Sequence, residues 1–273
     1  MSPPEDRPAP PDGRSVRLAF EEGRKLARVT LEAGKGNVIG AAVTEELRAA
    51  FAEAAAEPVA RAVLLQAAGP HFSFGASVEE HRPPEVRAML ARFHAMLGTV
   101  LATPLPVLAA VRGQCLGGGL ELALCAGRIF AHPGAKFGQP EVKLAVFAPA
   151  ASVLLPPRVG QAAAELLLLS GKSWTAAEAL RAGLVEDLCG EEEDPASRAA
   201  AFARESFFAL SPASLRVATR AARGELAGEA AARLAQLERL YLDEVAESAD
   251  GREGIAAFLE KRPARWAADR GAV

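Results

Sequence analysis

Glu121 is the one charged side chain in the stretch GQCLGGGLELALCAG, residues 113–127, and it follows Gly118 by three positions. At the start of a helix the first backbone N–H groups lack partners within the helix, and together with the helix dipole they favour negative charge. A ligand oxygen reaches such amides only where side chains stand aside, which glycine ensures at Gly117, Gly118 and Gly119. One helical turn would then set the Glu121 carboxylate beside the oxygen. The same glycines would equally let a helix pack closely on a strand, and this stretch alone leaves both roles open.

Two further stretches carry similar chemistry. In HFSFGASVEEH, residues 71–81, the pair Gly75-Ala76 ends an apolar, strand-like segment, as an ordinary turn also would. In AKFGQPEVKLAVFAPAAS, residues 135–152, Glu141 directly follows the turn signal Gly138-Gln139-Pro140. A glutamate there is either a second acid for the site or a surface group paired with Lys136, Lys143 or Arg158. Two carboxylates in one pocket can hold a water between them, one accepting its proton while the other gives a proton to carbon. Sharing the pocket raises at least one pKa toward the useful range.

These segments need a scaffold that brings them together. Alternating apolar residues at Val16, Leu18 and Phe20, and again at Leu26, Val29 and Leu31, predict a hairpin around EEGR. Short strands are predicted at residues 61–66, 106–111, 128–131 and 135–138, with helical patterns at 44–56 and 84–101 between them, as in an α/β layer fold. Beyond Ser152 the pattern is almost wholly helical, at 161–170, 175–182, 195–210, 212–223, 225–249 and 251–260. EEED, residues 191–194, reads as a solvated loop, and there is no internal repeat.

With 273 residues, half of them hydrophobic, the chain can bury a sizeable core. Its net charge of −3 and dispersed basic residues argue against nucleic acid as a partner. The uncharged run at residues 144–157, closed by Arg158, is too short and too rich in proline to span a membrane. Three cysteines without a C-x-x-C pair suggest neither a disulfide framework nor a zinc site, and His71, His94 and His132 have no metal-ligand spacing, so no metal is expected. A reducing, cytoplasmic location fits. The proline-rich residues 1–14 read as a disordered tail.

In combination FSFGAS, AAVRGQCLGGGLELALCAGRIFA, AKFGQPEVKL and the terminal EGIAAFLEKRPARW resemble the crotonase superfamily, the enoyl-CoA hydratase and isomerase family. The resemblance runs from about Val16 to Trp266 and implies a spiral α/β core of ββα units, residues 15–205, followed by a C-terminal helical trimerisation region, residues 206–273. It implies that the amides of Ala76 and Gly118 form an oxyanion hole for an acyl-CoA thioester, with Phe74, Gly75 and Gly117 around the bound substrate. It implies catalytic roles for Glu121 and Glu141, hydratases of the family using both and many isomerases only the second. Phe258 and Lys261 match positions that reach CoA held largely by a neighbouring subunit, so a homotrimer or homohexamer is implied. Coenzyme A enters as part of the substrate, and no separate cofactor is implied.

Two departures bear on specificity. Ser77 stands where the family usually has aspartate, which keeps a helix-capping group but removes a charge. AVFAPAAS replaces the glycine-rich stretch usual after the second glutamate, so bulky Phe147 and rigid Pro149 shape the acyl pocket for something other than a thin linear chain. The combination is most similar to the branch of the family that hydrates a cyclic dienoyl thioester. His81, by contrast, reads as an ordinary solvated loop histidine.

Overall fold

The computed structural model describes residues 13–268, so most of the predicted N-terminal tail lies outside the described residues. The predicted hairpin is present: β1 (Val16–Glu21) pairs antiparallel with β2 (Leu26–Leu31). From β2 onward the chain winds as a spiral. β3 (Ala62–Ala67), β4 (Val107–Val111), β6 (Arg128–Ala131) and β9 (Asp187–Leu188) join parallel to one another in the order β1-β2-β3-β4-β6-β9. The central strands read as nearly continuous apolar runs because both faces are covered.

Each turn of the spiral also lays a short segment into a second layer. β5 (Gln114–Leu116) pairs parallel with β7 (Lys136–Gly138), and β8 (Ser173–Thr175) completes that sheet antiparallel to β7. Single bridges continue the layer through the preceding turns, joining Ser73 to Cys115 and Ile39 to Ala76. The sequence pattern reveals neither β5, β8 nor β9, since two or three residues are too few for a period-2 signal.

Helices close the turns. α1 (Ala41–Ala56) and α2 (Glu85–Leu101) match the predicted patterns, and α2 buries Val86, Met89, Leu90, Phe93 and Leu97 on one face. α3 (Gly118–Leu124) is short and buried along its whole length, so its single acid has no solvated face to occupy. After a 3₁₀ turn at Glu141–Leu144 come α4 (Pro149–Leu154), α5 (Pro156–Val159), α6 (Gln161–Ser170), α7 (Ala176–Arg181) and α8 (Pro195–Phe207).

The two helices predicted at 212–223 and 225–249 form one element instead. α9 (Pro212–Leu240) runs straight through Gly224 and Gly228, and a π-helical turn, Tyr241–Val245, ends it. Neither glycine is needed for a bend, and each costs the helix only about 1 kcal/mol relative to alanine. α9 and α10 (Ala249–Leu259) fold back on the spiral: Ala230, Leu234, Tyr241, Ala246 and Ile255 belong to the main core. Among the described residues no helix is long and apolar enough to cross a membrane.

One contact ties this C-terminal region to the site. A Cβ built at Gly254 of α10 would overlap the backbone carbonyl of Leu144, at the end of the turn that carries Glu141. Backbone cannot yield as a flexible side chain would, so Gly254→Ala should push α10 off that turn and lower stability by about 1–3 kcal/mol in denaturant unfolding. An unchanged unfolding midpoint would show that the close approach is not needed.

Candidate active site

Three successive turns of the spiral meet at one place. The second turn supplies Phe74, Gly75 and Ala76, the third Gly117 to Glu121, and the fourth the Glu141 turn. Backbone hydrogen bonds hold the three in register: Leu116 N–H donates to the Ser73 carbonyl at 3.0 Å, and Gly117 N–H donates to the Gly138 carbonyl at 2.9 Å. Buried Asn37 anchors the second turn from the first, its side-chain amide donating to the Ala68 and His71 carbonyls. Ser73 Oγ donates to the Asn37 carbonyl at 2.7 Å and accepts from the Gly75 amide at 3.0 Å.

Two glycines are fixed by both conformation and space. Gly75 has φ of 105°, and a Cβ there would lie 2.9 Å from the Leu116 carbonyl and 3.1 Å from the Gly118 nitrogen. Gly117, with φ of 52°, caps α3, and a Cβ there would lie 2.8 Å from Glu141 Oε1. Both conformations are strained for residues with side chains. Their consequence is that the amides of Ala76 and Gly118 adjoin, and among the described residues neither has a hydrogen-bond acceptor. Ser77 departs from the family pattern without losing local function, since its Oγ accepts from the Glu80 amide at 3.4 Å.

Both amides border a pocket enclosing about 670 Å³, its open mouth included, whose wall contains Phe74, Gly75, Ala76, Gly117, Gly118, Glu121, Glu141, Phe147 and Pro149. Glu121, only 4% exposed, has one oxygen bound by the Ala151 amide at 2.8 Å, so the first turn of α4 orients it. Burial raises its pKa to about 7. Burial and the negative charge of Glu121 raise Glu141 to about 8. Repulsion between the two acids opposes ionising both at once, so the pocket favours a neutral carboxyl group beside a carboxylate.

Gln139, which the sequence marks only as part of a turn, holds Glu141 in place. Its side-chain amide donates to both oxygens of the Glu141 carboxyl group, at 3.0 and 2.9 Å.

Phe258 and Lys261 do not reach this pocket within the chain; Phe258, on the outer side of α10, is half exposed. His81 is not solvated as expected. It lines the pocket, with Nδ1 2.7 Å from the Ser77 carbonyl, and burial lowers its pKa. His94 and Tyr241 complete the wall opposite the glycines, and no motif marks either of them. His94 Nδ1 is 3.0 Å from Glu238, and burial keeps its pKa down as well. Cys115 and Cys125 are buried packing residues.

Two unengaged amides beside two acids in one pocket form an arrangement suited to acyl groups that pass through an enolate. The chain belongs to the enoyl-CoA hydratase/isomerase family, whose description its residues 21–269 match. It is 49% identical over 251 residues to the cyclohexa-1,5-dienecarbonyl-CoA hydratase of Thauera aromatica, covering 92% of this chain and 96% of that one. It is 33% identical to a probable enoyl-CoA hydratase of Mycobacterium tuberculosis over 90% of this chain and 95% of the other. An enoyl-CoA hydratase/isomerase structure from Pseudoalteromonas atlantica superposes with a TM-score of 0.77 at 27% identity, covering 93% of this chain and all of that one. The enoyl-CoA hydratase of Bacillus halodurans, at 22% identity, shares the fold with a TM-score of 0.81 over 89% of this chain and 99% of that one.

The buried acids have a consequence for stability. Both bind protons more tightly folded than unfolded, so their contribution is complete below the ordinary carboxylate value of 4.5 and is lost as pH rises toward about 8. His81 and His94 act in the opposite sense as pH falls through 6.5, so wild type must be compared with E121Q/E141Q. Relative to that double variant, the ligand-free wild type should lose stability steadily across the window in urea unfolding. A constant difference would show that the two acids ionise in place without penalty.

Proposed function

We propose that the chain hydrates cyclohexa-1,5-diene-1-carbonyl-CoA to 6-hydroxycyclohex-1-ene-1-carbonyl-CoA. The observation that carries this reading is that Glu121 and Glu141 line one pocket with the unengaged amides of Ala76 and Gly118. The 49% identity to the Thauera aromatica hydratase supports the choice of acyl group, as do the bulky Phe147 and Pro149 in the wall.

The step balances on the chain's own groups. Ionised Glu121 takes a proton from water while the water oxygen forms a bond to the ring carbon β to the thioester carbonyl. The displaced π electrons spread over a dienolate whose oxygen the Ala76 and Gly118 amides hold, so they act as the oxyanion hole. Neutral Glu141 then delivers its proton to the γ carbon, leaving a double bond conjugated with the thioester. Proton exchange between the two acids restores the starting pair. These are proton transfers throughout, and the coenzyme A thioester is substrate rather than cofactor. Retention of both acids favours hydration over isomerisation.

In a trimer or paired trimer Phe258 and Lys261 would reach the CoA of a neighbouring subunit, a reading that the exposure of Phe258 supports, and the exposed Leu166 and Leu169 of α6 suit burial between subunits. Three free, buried cysteines suit a reducing cytoplasm.

The reading is tested by incubating purified protein with the cyclic dienoyl-CoA and with crotonyl-CoA, and following each by mass spectrometry. The cyclic thioester should gain one water much faster. Preference for crotonyl-CoA would assign the chain to linear enoyl groups instead. Glu141→Gln should lower kcat by about 100-fold to 10,000-fold with thioester binding nearly intact, since it removes the proton and keeps the shape. Activity within a few-fold of wild type would remove Glu141 from the chemistry.

A further inference from the structure

The wall facing the two acids contains a polar group that the mechanism above does not use. Tyr241 is the only tyrosine of the chain, 1% exposed, and its ring packs on Phe147 with centroids 5.4 Å apart. Tyr241 lines the same pocket as Glu121 and Glu141, and its buried hydroxyl has no hydrogen-bond partner among the described residues. A buried hydroxyl left unbonded is costly, about 1–3 kcal/mol, and rare.

Two further features indicate that the orphaned group is placed for a ligand. The residue opens the π-helical turn Tyr241–Val245, at the point where α9 leaves its regular winding. Such turns are unusual and concentrate at functional sites, because one extra residue per turn redirects a side chain that a regular helix would hold elsewhere. The charges of both Glu121 and Glu141 also act on the phenol, adding to the effect of burial in keeping it protonated. The hydroxyl is therefore a protonated, unbonded donor on a residue that shares the pocket wall with both acids.

We propose that the Tyr241 hydroxyl donates a hydrogen bond to the oxygen that is added to the acyl group, as water before the reaction and as the ring hydroxyl after it. The inference rests on the hydratase reading and adds a third contact to that oxygen. Glu121 accepts from the water and so leaves one of its lone pairs to attack carbon; the other is free to accept from the phenol. In the reverse direction the same donor stabilises the departing hydroxide. A linear or cyclic acyl group without an oxygen at this position would leave the phenol unsatisfied.

Two thioesters that differ only in the ring hydroxyl separate this role from packing: 6-hydroxycyclohex-1-ene-1-carbonyl-CoA and cyclohex-1-ene-1-carbonyl-CoA. Tyr241→Phe keeps the ring against Phe147 and should fold with a Tm no lower than wild type, since it removes an unbonded buried hydroxyl. It should bind the hydroxylated thioester about tenfold more weakly and the deoxy thioester within about twofold of wild type, as loss of one hydrogen bond predicts. Equal weakening of both, or weakening of neither, overturns the proposal. Wild type labelled with 3-fluorotyrosine offers a second reading free of any substitution at the site. Its single ¹⁹F resonance should move with the hydroxylated thioester and much less with the deoxy one; equal shifts count against the contact. A wild type that binds neither thioester contradicts the substrate reading and this inference together. Binding of both with an unchanged Tyr241→Phe contradicts the inference alone.

Discussion

The structure depends on keeping two carboxylates in one buried pocket. Burial raises the pKa of both Glu121 and Glu141, and the charge of Glu121 adds to the effect on Glu141, so the pocket opposes ionising both at once. A surface arrangement of the same residues would leave both ionised and give no acid for carbon. The surrounding fold supplies the burial and fixes the asymmetry. The Ala151 amide favours the ionised form of Glu121, and Glu141 faces that charge.

The spiral explains how residues so far apart in sequence come together. Each turn places a strand in the main sheet and a short segment in the second layer, so Ala76, Gly118 and Glu141 lie at equivalent points of consecutive turns. Close stacking of those turns demands glycine at Gly75 and Gly117, and the same lack of side chains leaves the two amides open. Packing and ligand access are thus one requirement here, which is why the triple glycine by itself supports both readings. The C-terminal helices complete the arrangement from outside the spiral. α10 fits against the Glu141 turn at Gly254, and the end of α9 contributes Tyr241 to the pocket wall.

Much of this was legible in the sequence because it is local. The glycine run, the acid one helical turn beyond it and the turn before Glu141 are contiguous signals, and the hairpin and α2 announce themselves by period. What escaped is set by contacts between distant segments. Tyr241 and Glu238 sit in a long polar helix whose pattern gives no reason to place one in the pocket and the other against His94. His81 ends a polar loop in sequence, yet folds under the pocket wall near Tyr241. Gly224 suggested a helix break where flanking helix formers carry the chain through. Of the second-layer strands the sequence marks only β7; β5 and β8 form where neighbouring turns present their edges, which no single segment encodes.

The central claim is that the protonated member of the pair faces the far end of the dienolate, so that water adds across the ring in a 1,4 sense. Proximity of donor and carbon decides such regiochemistry. Hydration of the cyclic dienoyl-CoA in heavy water, with the label located by NMR, tests this directly. The account predicts deuterium on the ring carbon γ to the thioester carbonyl, and deuterium at the α carbon would contradict it.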